Sequence, residues 1–223
     1  MITERPAQAY LWRDDDGPLV DPAHALSHLA TADPILGALM DRTGALGLAP
    51  PPRRTPFQSL LRAIVHQQLS GKAAQTIFGR VCALYSPRPW PSPKALLATH
   101  PLKLRKAGLS RAKALAVKDL ARHASEGRVP GAARLRRLEA DEIVARLTQV
   151  RGIGRWTVEM LLIFHLGHPD ILPADDLGIR KGFALTYRTR GLPAADRVER
   201  HAQRWRPYRS IASWYLWRAL DAS

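Results

Sequence analysis

The stretch Val150-Arg151-Gly152-Ile153-Gly154 separates two segments whose apolar residues recur at helical spacing. Its two glycines allow the backbone to turn sharply and to approach another molecule closely. The apolar Ile153 can pin the turn to a core, and the second glycine opens a helix whose free N–H groups favour a phosphate. The pattern predicts a helical hairpin that clamps a nucleic-acid backbone, with a plain turn between two packed helices as the alternative.

The charge of the chain favours the same interpretation. The 223 residues include 34 Lys and Arg against 19 Asp and Glu, a net charge of +15, and such a surface attracts polyanions. Arginine outnumbers lysine heavily, so a GC-rich genome is the alternative explanation for the excess of basic residues. The single cysteine, Cys82, excludes an intramolecular disulfide and a cysteine-ligated zinc or iron–sulfur site, and its apolar context predicts a core residue.

Helical spacing continues through nearly the whole chain, and no alternating segments are joined by a hairpin turn, which predicts an all-α fold. Aspartates open the first two helices, and Ser110 caps a later one. Residues 1–20 are expected to be irregular. The predicted helices cover about 22–30, 33–45, 57–85 with a break at 67–71, 92–98, 101–107, 111–125, 139–149, 154–166, 175–185, 193–204 and 208–221.

No apolar run approaches the length of a membrane-spanning helix, and the first residues lack a secretory apolar segment. We therefore expect a soluble, intracellular, cytoplasmic protein that is associated with the nucleoid. It is expected to be a monomer with no membrane partner.

The hairpin segment Leu147–Thr157, followed about twenty residues later by Leu172–Lys181, resembles the helix-hairpin-helix DNA glycosylase superfamily. Three further segments resemble its alkylation-repair branch, the 3-methyladenine DNA glycosylase II type: Pro56–Ser70, Gly154–Thr157 and Arg204–Ser210. The resemblance implies two helical lobes that flank a cleft for double-stranded DNA with damaged bases.

The lobes implied by the resemblance divide residues 21–223 between them. A central lobe covers about 57–170, and a second lobe combines about 21–56 with 171–223. Some relatives carry an additional N-terminal α/β domain. Only about thirty residues precede the first matching helix here, so such a domain is not expected.

Two adjacent aspartates compete for the catalytic role that the family implies. The family's aspartate is followed three residues later by an aliphatic residue and then by a basic one, and Asp176 fits with Ile179 and Arg180. Asp175 has Gly178 at that distance and is expected to be a helix cap or an orienting neighbour. A carboxylate at a helix N-terminus suits a developing sugar cation, although both aspartates could merely cap the helix.

Two tryptophans are implied as the walls of the base pocket. Family members that also cut the strand carry a Schiff-base lysine where this chain has Trp156, whose flat ring can stack on an electron-poor alkylated base. Trp217 matches a second pocket aromatic, with Trp214 and Tyr215 as neighbouring candidates. The alternative for each tryptophan is core packing.

The remaining contacts implied by the resemblance lie at the two turns. The minor-groove wedge is Gln68 by position or Leu69 by apolar chemistry, unless Leu69 is buried and the glutamines cap helices. DNA-backbone contacts are expected at Gly152, Gly154, Arg155 and Thr157. The carbonyl ligands of a structural monovalent cation are expected at Thr148, Val150 and Ile153. No other cofactor is expected.

The activity implied is that of a monofunctional enzyme of base excision repair. It would flip alkylated purines, such as 3-methyladenine and 7-methylguanine, out of the duplex and hydrolyse their N-glycosidic bond. Two alternatives stay open: a glycosylase for oxidised, mismatched or deaminated bases, and a helix-hairpin-helix module that binds DNA without catalysis.

Overall fold

The computed structural model describes residues 20–49 and 52–221, which fold into helices with no β-strand among them and confirm the all-α class. The predicted irregular segment 1–20 lies outside the described residues except for its last position. No helix in the described ranges is long and apolar enough to cross a membrane. The helices are α1 (Pro22–Ala32), α2 (Pro34–Thr43), α3 (Pro56–His66), α4 (Gly71–Ala83), α5 (Pro93–Ala98), α6 (Pro101–Lys106), α7 (Arg111–Ser125), α8 (Ala132–Leu135), α9 (Ala140–Leu147), α10 (Arg155–Leu161), α11 (Leu177–Tyr187), α12 (Ala195–His201) and α13 (Arg209–Arg218).

The helices begin where short polar side chains bond the first free backbone N–H groups. Asp21 and Asp33 cap α1 and α2, and Ser110 caps α7, as the sequence predicts. Thr55 and Gln58 add a reciprocal capping box at the start of α3. Local sequence therefore determines these helix starts.

Three features of the structure differ from the predicted helices, and one is that the helix predicted over 193–204 consists of α12 and a 3₁₀ turn, Ala202–Trp205. The short helix α8 is absent from the prediction, and the helix predicted over 154–166 consists of α10 and a π-helical turn, Leu162–Leu166. The N–H of His168 closes that turn on the carbonyl oxygen of Leu162 at 2.9 Å. Apolar spacing does not distinguish such a widened turn from an α-helix, since both keep one face apolar.

The described residues form two compact units. The central unit is Arg53–Leu161, and the terminal unit combines the described residues 20–49 and Pro52 with 162–221. Within the central unit, α7 packs against α3, α5 and α6. The helix buries an apolar stripe against these neighbours, formed by Ala114, Val117, Leu120 and Ala121.

Within the terminal unit, α11 and α13 approach each other closely because two glycines stand one turn apart on α11. A Cβ atom added to Gly182 would lie 2.0 Å from the carbonyl oxygen of Leu216, so any side chain there would collide with backbone. A Cβ atom on Gly178 would lie 2.8 Å from the Trp217 ring. The absence of side chains at these two positions therefore sets the distance between the helices.

A buried carboxylate ties three elements of the terminal unit together. Asp33, 2% exposed, accepts hydrogen bonds at Oδ2 from Tyr187 Oη (2.7 Å), His201 Nε2 (2.8 Å) and Trp205 Nε1 (2.9 Å). Burial alone would raise the pKa of Asp33, but the convergent donors outweigh burial and hold that pKa well below its usual range. Asp33 therefore caps α2 with one carboxylate oxygen and accepts three buried hydrogen bonds with the other.

The buried His168 makes the terminal unit sensitive to acid. Burial lowers the pKa of its imidazole to about 4; nearby Asp170 opposes this shift and Arg209 adds to it. Because the unfolded chain binds this proton at about pH 6.5, the stabilisation from neutral His168 is complete above that pH and is lost as pH falls towards 4. The free energy of unfolding should decrease by up to about 3 kcal/mol over this window.

Urea denaturation at several pH values measures this loss. His168→Asn keeps an acceptor for the Asp170 N–H, which donates to Nδ1 at 3.1 Å, and removes the titrating ring. We expect a shallower decrease between pH 6.5 and 4 in this variant, with His24→Asn reporting the change caused by losing an exposed histidine. An unchanged slope in His168→Asn would contradict the assignment.

Candidate active site

The predicted hairpin lies between α9 and α10. Gly152 adopts a left-handed conformation with φ of 77°, which favours glycine, and its added Cβ atom would lie 3.2 Å from the Cβ atom of Ala116. Ile153 is buried, and its N–H donates to the carbonyl oxygen of Val150 at 3.0 Å. The apolar residue of the turn therefore anchors it to the core, as the sequence predicts.

Two side chains from outside the hairpin hold its turn. Asp119 Oδ2, on α7, accepts a hydrogen bond from the Arg151 N–H at 2.8 Å, and Gln67 Nε2 donates to the Gly152 carbonyl oxygen at 2.8 Å. Burial alone would raise the pKa of Asp119, but the bonds from Arg151 and Arg122 outweigh it and lower that pKa. Sequence reasoning missed both contacts, because each joins segments that are distant along the chain.

The predicted wedge segment, Gln68 and Leu69, forms an exposed break between α3 and α4. Gln68 is left-handed, with φ of 56°, and exposed, and Leu69 is 38% exposed. The alternative in which Leu69 is buried is therefore wrong. Gln67 is the C-cap residue of α3, and its side chain bonds the hairpin. Ser70 caps α4, so a new helix starts at the predicted break.

The residues after the hairpin point in different directions from the first turn of α10. Trp156 is 50% exposed and Arg155 is exposed, with Arg155 Nε donating to Glu159 Oε1 at 2.9 Å. Thr157, predicted as a DNA-backbone contact, has a buried side chain. A contact of Thr157 with DNA would therefore involve its backbone.

The predicted cation ligands are carbonyl oxygens of the hairpin. The Val150 carbonyl accepts the Ile153 N–H, and the hydroxyl of Thr148 donates to the Val144 carbonyl at 2.7 Å. The cation site stays a prediction. In the part of the chain that the structure describes, no three His, Cys, Asp or Glu side chains group as metal ligands.

Asp176 itself is the N-cap of α11. Its Oδ1 accepts the Ile179 N–H at 2.9 Å and the indole Nε1–H of Trp217 at 2.9 Å, so two donors fix the orientation of the carboxyl group. Asp175 is exposed. The expectation that Asp175 could be the cap is therefore wrong, because the side chain of Asp176 reaches the N–H three residues ahead.

Trp217 reaches Asp176 because Gly178 has no side chain. An added Cβ atom at Gly178 would lie 2.9 Å from Asp176 Oδ1 and 3.0 Å from Trp217 Nε1. The ring of Phe164, 43% exposed, lies with its centroid 5.7 Å from that of Trp217. The sequence offered no signal for Phe164 beyond an aromatic residue near the end of a predicted helix.

The other aromatic candidates of α13 are structural. Tyr215 is buried and donates from its hydroxyl to the Gly44 carbonyl oxygen at 3.1 Å. Trp214 packs edge-on against Tyr215 and lies against Gly47, where an added Cβ atom would be 2.9 Å from the indole. Trp217 is therefore the tryptophan of α13 that contacts Asp176.

The excess positive charge resides in the central unit. Arg53–Leu161 holds 21 of the 34 basic residues and 6 of the 19 acidic ones, a net charge of +15, whereas the remaining 13 basic and 13 acidic residues cancel. The hairpin and the wedge segment both belong to this unit. The positive charge that favours binding of a polyanion thus lies in the same unit as the hairpin and the wedge segment.

Comparisons with known proteins identify the family of this chain. The chain belongs to the HhH-GPD superfamily of base excision DNA repair proteins, whose family model matches residues 61–207. It is 39% identical over 166 residues to DNA-3-methyladenine glycosylase 1 of Schizosaccharomyces pombe, covering 74% of this chain and 73% of the relative. The resemblance to the alkylation-repair branch is therefore confirmed.

Solved structures give the same result. The Schizosaccharomyces pombe 3-methyladenine DNA glycosylase in complex with abasic DNA aligns with a TM-score of 0.76 and 36% identity, over 87% of this chain and 95% of that one. A DNA-3-methyladenine glycosidase from Bacillus halodurans aligns with a TM-score of 0.81 and 33% identity, over 89% of each chain.

Proposed function

We propose that this protein is a monofunctional DNA glycosylase that removes alkylated purines, such as 3-methyladenine and 7-methylguanine, in base excision repair. The observation that carries the proposal is Asp176, a half-exposed carboxylate held by the Ile179 N–H and the Trp217 indole. Similarity to glycosylases that act on 3-methyladenine supports the substrate class.

Asp176 would act on the sugar. Cleavage of the N-glycosidic bond moves the bonding electrons onto the departing base and builds positive, oxocarbenium-like charge on the deoxyribose. An alkylated purine already carries positive charge and leaves as a neutral base, so a strong general acid is unnecessary. A carboxylate of fixed orientation stabilises the sugar cation electrostatically and can align the water that attacks it.

The side chains at the hairpin support a hydrolase without strand cleavage. Trp156 stands where the lyase branch of the family has a lysine, so no amine at that position can attack the sugar. Its half-exposed ring can stack on a cationic base. Gln68 and Leu69, exposed at the break after α3, would fill the space that the flipped base leaves.

The DNA itself would be held through its backbone by the central unit. That unit carries the net charge of +15, and the hairpin presents Gly152, Gly154 and the exposed Arg155 at one turn. A related enzyme has been solved in complex with abasic DNA. Phosphate contacts give affinity without sequence preference, as a repair enzyme that searches the genome requires.

Base release from methylated DNA tests the proposal. Duplex DNA treated with a methylating agent should yield free methylated purines, detected by chromatography, and abasic strands that break only after alkali. Unmethylated duplex is the control and should release nothing. Strand breaks without alkali would contradict the hydrolytic assignment, and no release from any alkylated duplex would favour a DNA-binding module without catalysis.

A further inference from the structure

A lysine of α7 bonds the carboxyl end of α3, directly before the wedge segment. Lys113 Nζ donates to the carbonyl oxygens of Val65 (2.7 Å) and Gln67 (2.6 Å). Carbonyl groups in the last turn of a helix have no partners within the helix, and an ammonium group there both bonds them and complements their negative dipole. Lys113 therefore provides partners for two carbonyl groups at the end of α3.

The residue after this contact needs such support. Gln68 adopts a left-handed conformation that residues with a side chain rarely adopt. Gln68 and Leu69 are exposed, so they gain little from packing. Backbone strain of this kind persists where neighbouring contacts hold the chain.

The backbone and the side chain of Gln67 both make such contacts. Its carbonyl oxygen accepts from Lys113, and its side-chain amide donates to the Gly152 carbonyl of the hairpin. The same helix, α7, holds the hairpin through Asp119 and the Arg151 N–H. Within the central unit, α7 thus bonds both the hairpin and Gln67, the residue directly before the wedge segment.

We propose that Lys113 is a positioning residue that sets the wedge: by bonding the carbonyl oxygens of Val65 and Gln67, it presents Gln68 and Leu69 in the conformation that enters a gap in the base stack. The proposal rests on the proposed function, because it takes the exposed break as the wedge. Lys113 acts through the loop and is not assigned a contact with the sugar or the base.

The chain offers a matched control one and a half turns further along α7. Lys118 Nζ bonds the carboxyl end of α5 in the same manner, donating to the carbonyl oxygens of Leu96 (3.1 Å), Leu97 and Thr99 (2.9 Å). Both lysines are half-buried. Replacing either by methionine removes one ammonium group and similar helix-end contacts, but only the contacts of Lys113 lie directly before the wedge segment.

The test measures binding to two duplexes by fluorescence anisotropy: one with a tetrahydrofuran abasic analogue and one undamaged. The wild-type protein should prefer the abasic duplex, since the wedge fills its gap. Lys113→Met should lower this preference by about ten-fold or more, whereas Lys118→Met should keep it. Lys113→Arg, which retains donors, should recover most of the loss.

Equal preferences in Lys113→Met and Lys118→Met would overturn the proposal, as would a wild-type protein that does not prefer the abasic duplex. Lys113→Gln, with a shorter amide donor, replaces the methionine variant in this comparison if the latter does not fold. The test does not depend on catalysis. Absence of base release with an intact, Lys113-dependent preference would remove the proposed activity and leave the positioning role supported.

Discussion

Asp176→Asn is expected to lower the rate of base release by about 10²- to 10³-fold and to leave the affinity for DNA nearly unchanged. Asparagine retains an oxygen that can accept the Ile179 N–H and the Trp217 indole N–H, both 2.9 Å from Oδ1 of Asp176. The cap of α11 and the contact with α13 should therefore survive. The substitution removes the negative charge, on which the stabilisation of a sugar cation depends.

Single-turnover release of methylated purine, at protein concentrations that saturate the DNA, measures the chemical step separately from binding. Asp175→Asn is the matched control, since it makes the same chemical change at an exposed neighbour that does not cap α11. This variant should retain most of the activity. Equal release by Asp176→Asn and the wild-type protein would remove Asp176 from the mechanism.

Gly182→Ala is expected to lower the free energy of unfolding by about 3 kcal/mol, the upper part of the range for an overpacked core. The new methyl group would lie 2.0 Å from the carbonyl oxygen and 2.7 Å from the carbonyl carbon of Leu216. These are backbone atoms, so no side-chain rotation relieves the collision. The backbones of α11 and α13 must separate, which moves the Trp217 that follows Leu216.

Urea denaturation followed by circular dichroism provides the measurement. Gly79→Ala makes the same change in the middle of α4, where an added Cβ atom meets nothing within 4 Å. Alanine is the better helix former, so this control should gain up to about 1 kcal/mol. A loss below about 0.5 kcal/mol in Gly182→Ala, the range of ordinary surface substitutions, would show that the two helices are not in close contact there.

The parts of the structure that the sequence predicts are those determined by near neighbours along the chain. A helix cap involves residues within three positions, so Asp33, Ser110 and the break before Ser70 could be identified directly. The hairpin and the register of Asp176 are likewise local patterns. These patterns led to the family, which the comparisons confirm.

The parts that escaped prediction depend on contacts between distant segments. Lys113 and Lys118 have the same chemistry on one helix, and nothing in the sequence says which carbonyl groups each bonds. In the sequence, Gly178 and Gly182 resemble ordinary helix interruptions, and only the structure shows that α13 packs against them. Tertiary packing also makes Asp33, predicted as a simple cap, the centre of a buried network.

The excess positive charge and the proposed catalytic carboxylate lie in different parts of the sequence. Each phosphate neutralised by lysine or arginine releases counterions, so under the proposed function the dependence of DNA affinity on ionic strength is expected to follow the basic residues of Arg53–Leu161. The rest of the sequence, which includes Asp176, has 13 basic and 13 acidic residues and therefore no net charge. Replacing an arginine of the central unit by glutamine should therefore reduce the salt dependence of DNA affinity without changing the sequence around Asp176.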